Sequence, residues 1–86
     1  MPEVSRFLGV VVKMLFDDHN PPHFHCYYGD EMAMIEIGTL SVIAGHLPPR
    51  VLGLVIKWAT VHQAELLENW NRARNHEPPT RIEPLR

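Results

Sequence analysis

A pair of prolines, Pro21-Pro22, cuts the first half of the chain at the point where its chemistry is densest. Immediately before it lie Asp17, Asp18, His19 and Asn20; immediately after it lie His23, Phe24, His25, Cys26, Tyr27 and Tyr28. Two adjacent prolines cannot donate to a sheet ladder, and the residue before a proline is pushed toward extended geometry. The segment Asp17 to Pro22 is therefore a stiff loop between two ordered elements, able to hold side chains in fixed positions. Pro48-Pro49 and Pro78-Pro79 punctuate the chain again. The first of these suits the opening turn of a helix, where a missing N–H is not needed.

The elements between these breaks follow from periodicity. Residues 1–6 read as a polar lead. Leu8 to Phe16 is rich in β-branched residues and apolar at nearly every position, as in a central strand. His23 to Tyr28 reads as a second strand. Its period of two puts His23, His25 and Tyr27 on one face and Phe24, Cys26 and Tyr28 on the other. Gly29-Asp30 supplies a turn, Met32 to Ile37 a third strand, Gly38-Thr39 another turn and Leu40 to Ala44 a short fourth strand. Such short connections favour an antiparallel meander. From about Pro49 to Arg74 one apolar stripe recurs at 100° per residue. It comprises Val51, Leu52, Val55, Trp58, Ala59, His62, Leu66, Asn69, Trp70 and Ala73. One long helix packed across the sheet is the expectation, with residues 75–86 leaving as an extended tail from which Ile82 and Leu85 can dock. The fold class is α+β: three to four antiparallel strands (7–45) and a helix (48–74), in a single domain spanning 1–86.

Composition narrows the function classes. With 86 residues, a single domain is the bound. The net charge of −2 gives no chain-wide attraction to nucleic acid. No apolar run approaches the roughly 20 residues that span a bilayer, and the first residues lack the pattern of a signal peptide. The lone cysteine, Cys26, has no partner for an intramolecular disulfide. A cytoplasmic location and no membrane role are the expectations.

Three chemistries fit the central stretch. The one that asks least of the sequence is a binding face. Its residues would be His23, His25 and Tyr27, with Asp17, Asp18 and His19 at the rim and His62 approaching from the helix; a plausible edge strand invites strand addition or a homo-oligomer. The second is a divalent transition-metal site, because His-x-His on a strand puts two imidazoles on one face. His19, His23 and His25 are the candidate ligands, and a loop carboxylate could complete the set. The third is acid–base catalysis on a phosphodiester, with His23 and His25 as base and acid, Asp17 or Asp18 orienting a ring and Arg6 or Arg50 meeting a phosphate. Whether the protein is an enzyme is left open by the sequence. Trp58 and Trp70 read as core anchors and Cys26 as a packed thiol. His62 and Asn69 are the polar exceptions on the helix stripe: either a satisfied core pair or a reach toward the histidines.

The chain also resembles a small bacterial family, domain-of-unknown-function family 4160. The resemblance rests on Ser5-Arg6-Phe7, Asp17-Asp18-His19, Pro21-Pro22-His23-Phe24-His25, Tyr28-Gly29 and Leu47-Pro48 in the first half. Trp58, His62, Glu65-Leu66, Asn69-Trp70 and Ile82-Glu83-Pro84-Leu85 carry it in the second. It implies no settled activity. It does imply a cytoplasmic bacterial protein, often encoded beside another small protein, and so a toxin–antitoxin-like or regulatory pair with that neighbour as partner.

Overall fold

Leu8 and Gly9 both adopt positive φ, +48° and +84°, which is what a two-residue hairpin turn with right-handed strand twist requires. The apolar run at the start of the chain therefore folds back on itself. It forms β1 (Glu3–Phe7) and β2 (Val10–Lys13), paired antiparallel with Phe7 opposite Val10 and Glu3 opposite Lys13. The computed structural model describes residues 2–16 and 18–86. In it β3 (His23–Tyr28), β4 (Glu31–Glu36) and β5 (Val42–Gly45) continue the meander, giving one antiparallel sheet in the order β1-β2-β3-β4-β5. Five strands thus replace the expected three to four. The extra one, β1, occupies most of the segment read as a polar lead, and beside an irregularity in its register it buries Val4 and Ser5, both at 0% exposure.

The helical half differs from the sequence expectation as well. Two helices, α1 (Pro49–Val61) and α2 (Gln63–Arg74), replace one, with the break at His62 (φ −115°, ψ 21°). The local cause lies in Thr60. Its hydroxyl donates back to the carbonyl of Ile56 at 2.7 Å, a contact that bends helices. The His62 N–H then bonds to Ala59, three residues back, which tightens the turn, and Leu66 restarts the ladder from His62. The break leaves the stripe in phase. Val51, Val55, Trp58 and Ala59 are buried from α1, and Leu66, Asn69, Trp70 and Ala73 from α2.

Against these helices the sheet presents Val10, Val12, Phe24, Cys26, Ala33 and Ile35, all at 0% exposure. Register aligns them across strands: Val12 with Cys26, Cys26 with Ala33, Phe24 with Ile35. Trp58 closes the core, its ring centroid 5.2 Å from Phe7 and 6.2 Å from Phe24. Residues 75–86 do leave the helix as a tail, but a pinned one. The Ile82 N–H donates to Val4 of β1 at 2.8 Å, and Trp58 Nε1 donates to the Glu83 carbonyl at 2.7 Å. Asn69 is saturated by Thr80. Its Nδ2 donates to the Thr80 carbonyl, while its Oδ1 accepts from the Thr80 N–H and hydroxyl. The edge of the sheet at β1 is thereby covered by the chain's own tail. No helix among the described residues is long and apolar enough to cross a membrane.

Candidate functional site

Two hydrogen bonds hold the loop around Pro22. The Asn20–Pro21 peptide is cis. The Pro22 carbonyl accepts from the Ile37 N–H at 2.9 Å, and Asn20 Oδ1 accepts from Arg74 of α2 at 3.3 Å. Asp18 is thereby suspended over the first turn of β3. One of its oxygens, Oδ1, accepts the backbone N–H of His19 at 2.9 Å. The other, Oδ2, lies 3.0 Å from His23 Nε2 and 2.9 Å from His25 Nε2. A single carboxylate oxygen thus receives both imidazoles of the His-x-His pair.

The rings are fixed from outside as well. His23 Nδ1 donates to the Pro21 carbonyl at 2.7 Å, and its ring centroid sits 5.2 Å from Trp70 and 5.1 Å from His25. His25 stacks on Tyr27 at 6.5 Å with 13° between planes, and Lys13 Nζ lies 4.9 Å from the centre of the Tyr27 ring. His23 and His25 are only 2% and 6% exposed. The histidine face is therefore not an open patch but a buried clasp closed by the loop. Burial pushes the Asp18 carboxyl up, but the hydrogen bonds from His25 and the His19 N–H and the charges of His23 and His25 outweigh it. The net effect holds Asp18 below the ordinary carboxylate value.

The remaining candidates lie elsewhere. His19 is exposed, and it serves the cluster through its backbone N–H. Asp17 lies outside the described residues. Arg6 sits on β1, two strands from β3, bound to Glu3 through Nη2 at 2.8 Å and 64% exposed in its side chain. His62 does not reach the histidines: its Nδ1 pairs with Glu65 and its ring packs 5.4 Å from Trp58. Asn69 likewise serves the tail, so the core-pair reading of these two gives way to two separate partners. Tyr27 does adjoin the clasp, half-buried. Cys26 is enclosed, and burial pushes its thiol far above the ordinary value.

Asp18, His23 and His25 each offer one donor atom, all within 4.8 Å of one another. Two imidazoles and a carboxylate are the donor types of transition-metal sites and equally of acid–base pairs. Sequence reasoning found both histidines and Asp18 but gave His19 the third ligand place; only the turn of the loop decides which neighbour faces inward. A groove of about 310 Å³ lies apart from the clasp, between the end of α1 and the tail, lined by Trp58, Val61, His62, Glu83, Pro84, Leu85 and Arg86.

Comparison with known proteins gives one family. The model described as "Domain of unknown function (DUF4160)" matches residues 9–71, and the chain belongs to that family. No curated protein and no solved structure matches it.

Proposed function

We propose that this member of the DUF4160 family is a partner-binding module that takes an extended strand of another protein onto the β5 edge of its sheet. The observation that supports it is the contrast between the two edges. The tail covers β1, whereas all four residues of β5 are exposed, with Val42 at 38% and Ile43 at 41%. The strand Val42-Ile43-Ala44-Gly45 carries no charge and no proline, the features that ordinarily guard an edge. Strand addition draws affinity from main-chain hydrogen bonds and specificity from alternate side chains. The occupant that fits is an extended segment with small or β-branched apolar residues. Resemblance to a family whose members sit beside another small protein supports the neighbouring gene product as its source, in a bacterial cytoplasmic, toxin–antitoxin-like pair.

The test is calorimetric titration of the protein with that gene product, repeated with Ile43→Lys. Binding is expected to fall at least tenfold in the variant while its circular dichroism stays unchanged. Equal binding by the variant, or a β5-to-β5 homodimer of the protein alone in sedimentation, would sink the reading.

A second reading, a histidine- or metal-dependent hydrolase acting on RNA, is supported by the convergence of His23 and His25 on Asp18. Against it, both rings are buried, which leaves a polymeric substrate no direct approach to them. Cleavage of an RNA substrate that is lost in His23→Ala and His25→Ala would revive it.

A further inference from the structure

The clasp does not balance its own protons. A carbonyl oxygen only accepts, so the bond to Pro21 fixes a proton on His23 Nδ1. In a neutral ring this leaves a lone pair on Nε2, and that lone pair points at a carboxylate oxygen 3.0 Å away. Two acceptors at that distance repel. Something positive has to stand between them, either a second proton on the ring or a cation. His25 aims its Nε2 at the same oxygen from the other side, while its Nδ1 is buried without a hydrogen-bond partner among the described residues.

We infer that Asp18 Oδ2, His23 Nε2 and His25 Nε2 form a binding site for one divalent transition-metal ion. Four features carry this. First, an imidazole anchored through Nδ1–H to a backbone carbonyl is the arrangement that readies Nε2 as a ligand. Second, Asp18 is oriented the same way, since the His19 N–H occupies Oδ1 and turns Oδ2 inward. Third, the donors are close: all three atoms lie within 4.8 Å of one another, so a small inward turn of the imidazoles brings both nitrogens and the oxygen to bonding distance of one ion, about 2.1 Å. The two nitrogen-to-oxygen separations are 3.0 and 2.9 Å. Fourth, the donors are two nitrogens and one oxygen, which favours zinc, iron, cobalt or nickel over magnesium or calcium. The ion would take the place of the ring proton, and the partly exposed Asp18 leaves a side from which water completes the coordination shell. His23, anchored at Nδ1, is the pre-set ligand; His25, whose Nδ1 has no hydrogen-bond partner among the described residues, is the more adaptable one. The site stands independently of the β5 edge.

The test begins with chelator-treated wild-type protein. Co²⁺ is added as a spectroscopic probe and Zn²⁺ is titrated by calorimetry. One ion per chain is expected, with visible Co²⁺ absorption, and with Zn²⁺ the ring ¹⁵N signals of His23 and His25 should move at Nε2 rather than Nδ1. Asp18→Asn and His23→Gln should each weaken binding by at least about 100-fold, more than the loss of a ligand's hydrogen-bond partner alone would cost. Failure of the wild type to bind either ion, or ring signals that stay put on Zn²⁺ addition, would overturn the inference whatever the variants do. So would folded variants, checked by circular dichroism, that bind as tightly as wild type.

Discussion

Two helix side chains fasten the tail, Trp58 at Glu83 and Asn69 at Thr80, and the cost of removing Asn69 follows from the bonds it makes. Asn69 is fully buried and makes three hydrogen bonds to Thr80, at 2.8, 2.9 and 3.2 Å. Each is worth about 1 kcal/mol net, so Asn69→Ala would remove about 3 kcal/mol if nothing compensated. Thr80 is exposed, however, and water can replace part of what its backbone loses. A destabilisation of about 2 kcal/mol is the working figure, equivalent to a fall in Tm of roughly 8–16 °C for a domain of this size. Thr80→Ala gives the contrast. It deletes only the 3.2 Å hydroxyl bond and leaves both backbone bonds, so it should cost less than about 0.5 kcal/mol. Urea denaturation measures both, and hydrogen exchange at the Ile82 amide reports the tail directly, because that amide donates to Val4. Ile82 protection should drop in Asn69→Ala and persist in Thr80→Ala. If the two variants cost the same, or if Asn69→Ala costs under about 0.5 kcal/mol with Ile82 still protected, Asn69 is not what holds the tail.

Three further outcomes follow from the same packing. The Arg6 guanidinium, opposed by partial desolvation and joined by Arg81, holds the Glu3 carboxyl down at about 2 from an ordinary 4.5. A depressed carboxyl stabilises the fold above its unfolded value, so this contribution fades as pH falls from 4.5 toward 2. Carboxyl ¹³C shifts should place the Glu3 midpoint near 2, and Arg6→Gln should move it back up. Gly45→Ala should cost at least about 2 kcal/mol in denaturant titration, because φ is +78° and the new Cβ would meet the Met32 carbonyl oxygen at 2.1 Å; a loss under half of that would mean β5 is free to shift. Cys26, buried with its thiol pushed up, should resist a disulfide reagent in the native protein and react at rates that climb with denaturant, whereas labelling at the free-thiol rate would contradict its enclosure.

The sheet was readable in sequence where alternation and turn residues agreed. His23 to Tyr28 forms β3 with the faces the period of two assigns, and Gly29-Asp30 makes the next turn. The first hairpin was not readable. Phe7-Leu8-Gly9-Val10 looks like one apolar run, and Leu8 is a residue that seldom takes positive φ; Gly9 was the one sign of a turn. The helix break escaped because the buried positions on either side of His62 keep nearly the same phase, so a bent pair of helices and one straight helix share a stripe. What bends it is a side-chain bond from Thr60, which periodicity does not register. At the clasp, residue types named the chemistry but not the orientation. Asp18 and His19 are neighbours, and the loop turns the first inward and the second out. That the histidine face is buried came from tertiary packing, with Trp70 arriving from α2, a contact 47 residues away in the chain.

The pinned tail also governs how many ends the sheet has for growth. With Ile82 bonded to Val4, the tail crosses the β1 edge, and on the strand-addition proposal β5 is the free acceptor among the described residues. An assembly built through one acceptor stops at a pair. A chain cut before Thr80 would expose a second acceptor on the far side, and a molecule with two can be extended in both directions without closure. On that proposal the few hydrogen bonds around Thr80 and Ile82 do more than stabilise the fold: they would set the valence of the sheet, favouring a finite complex over a fibre.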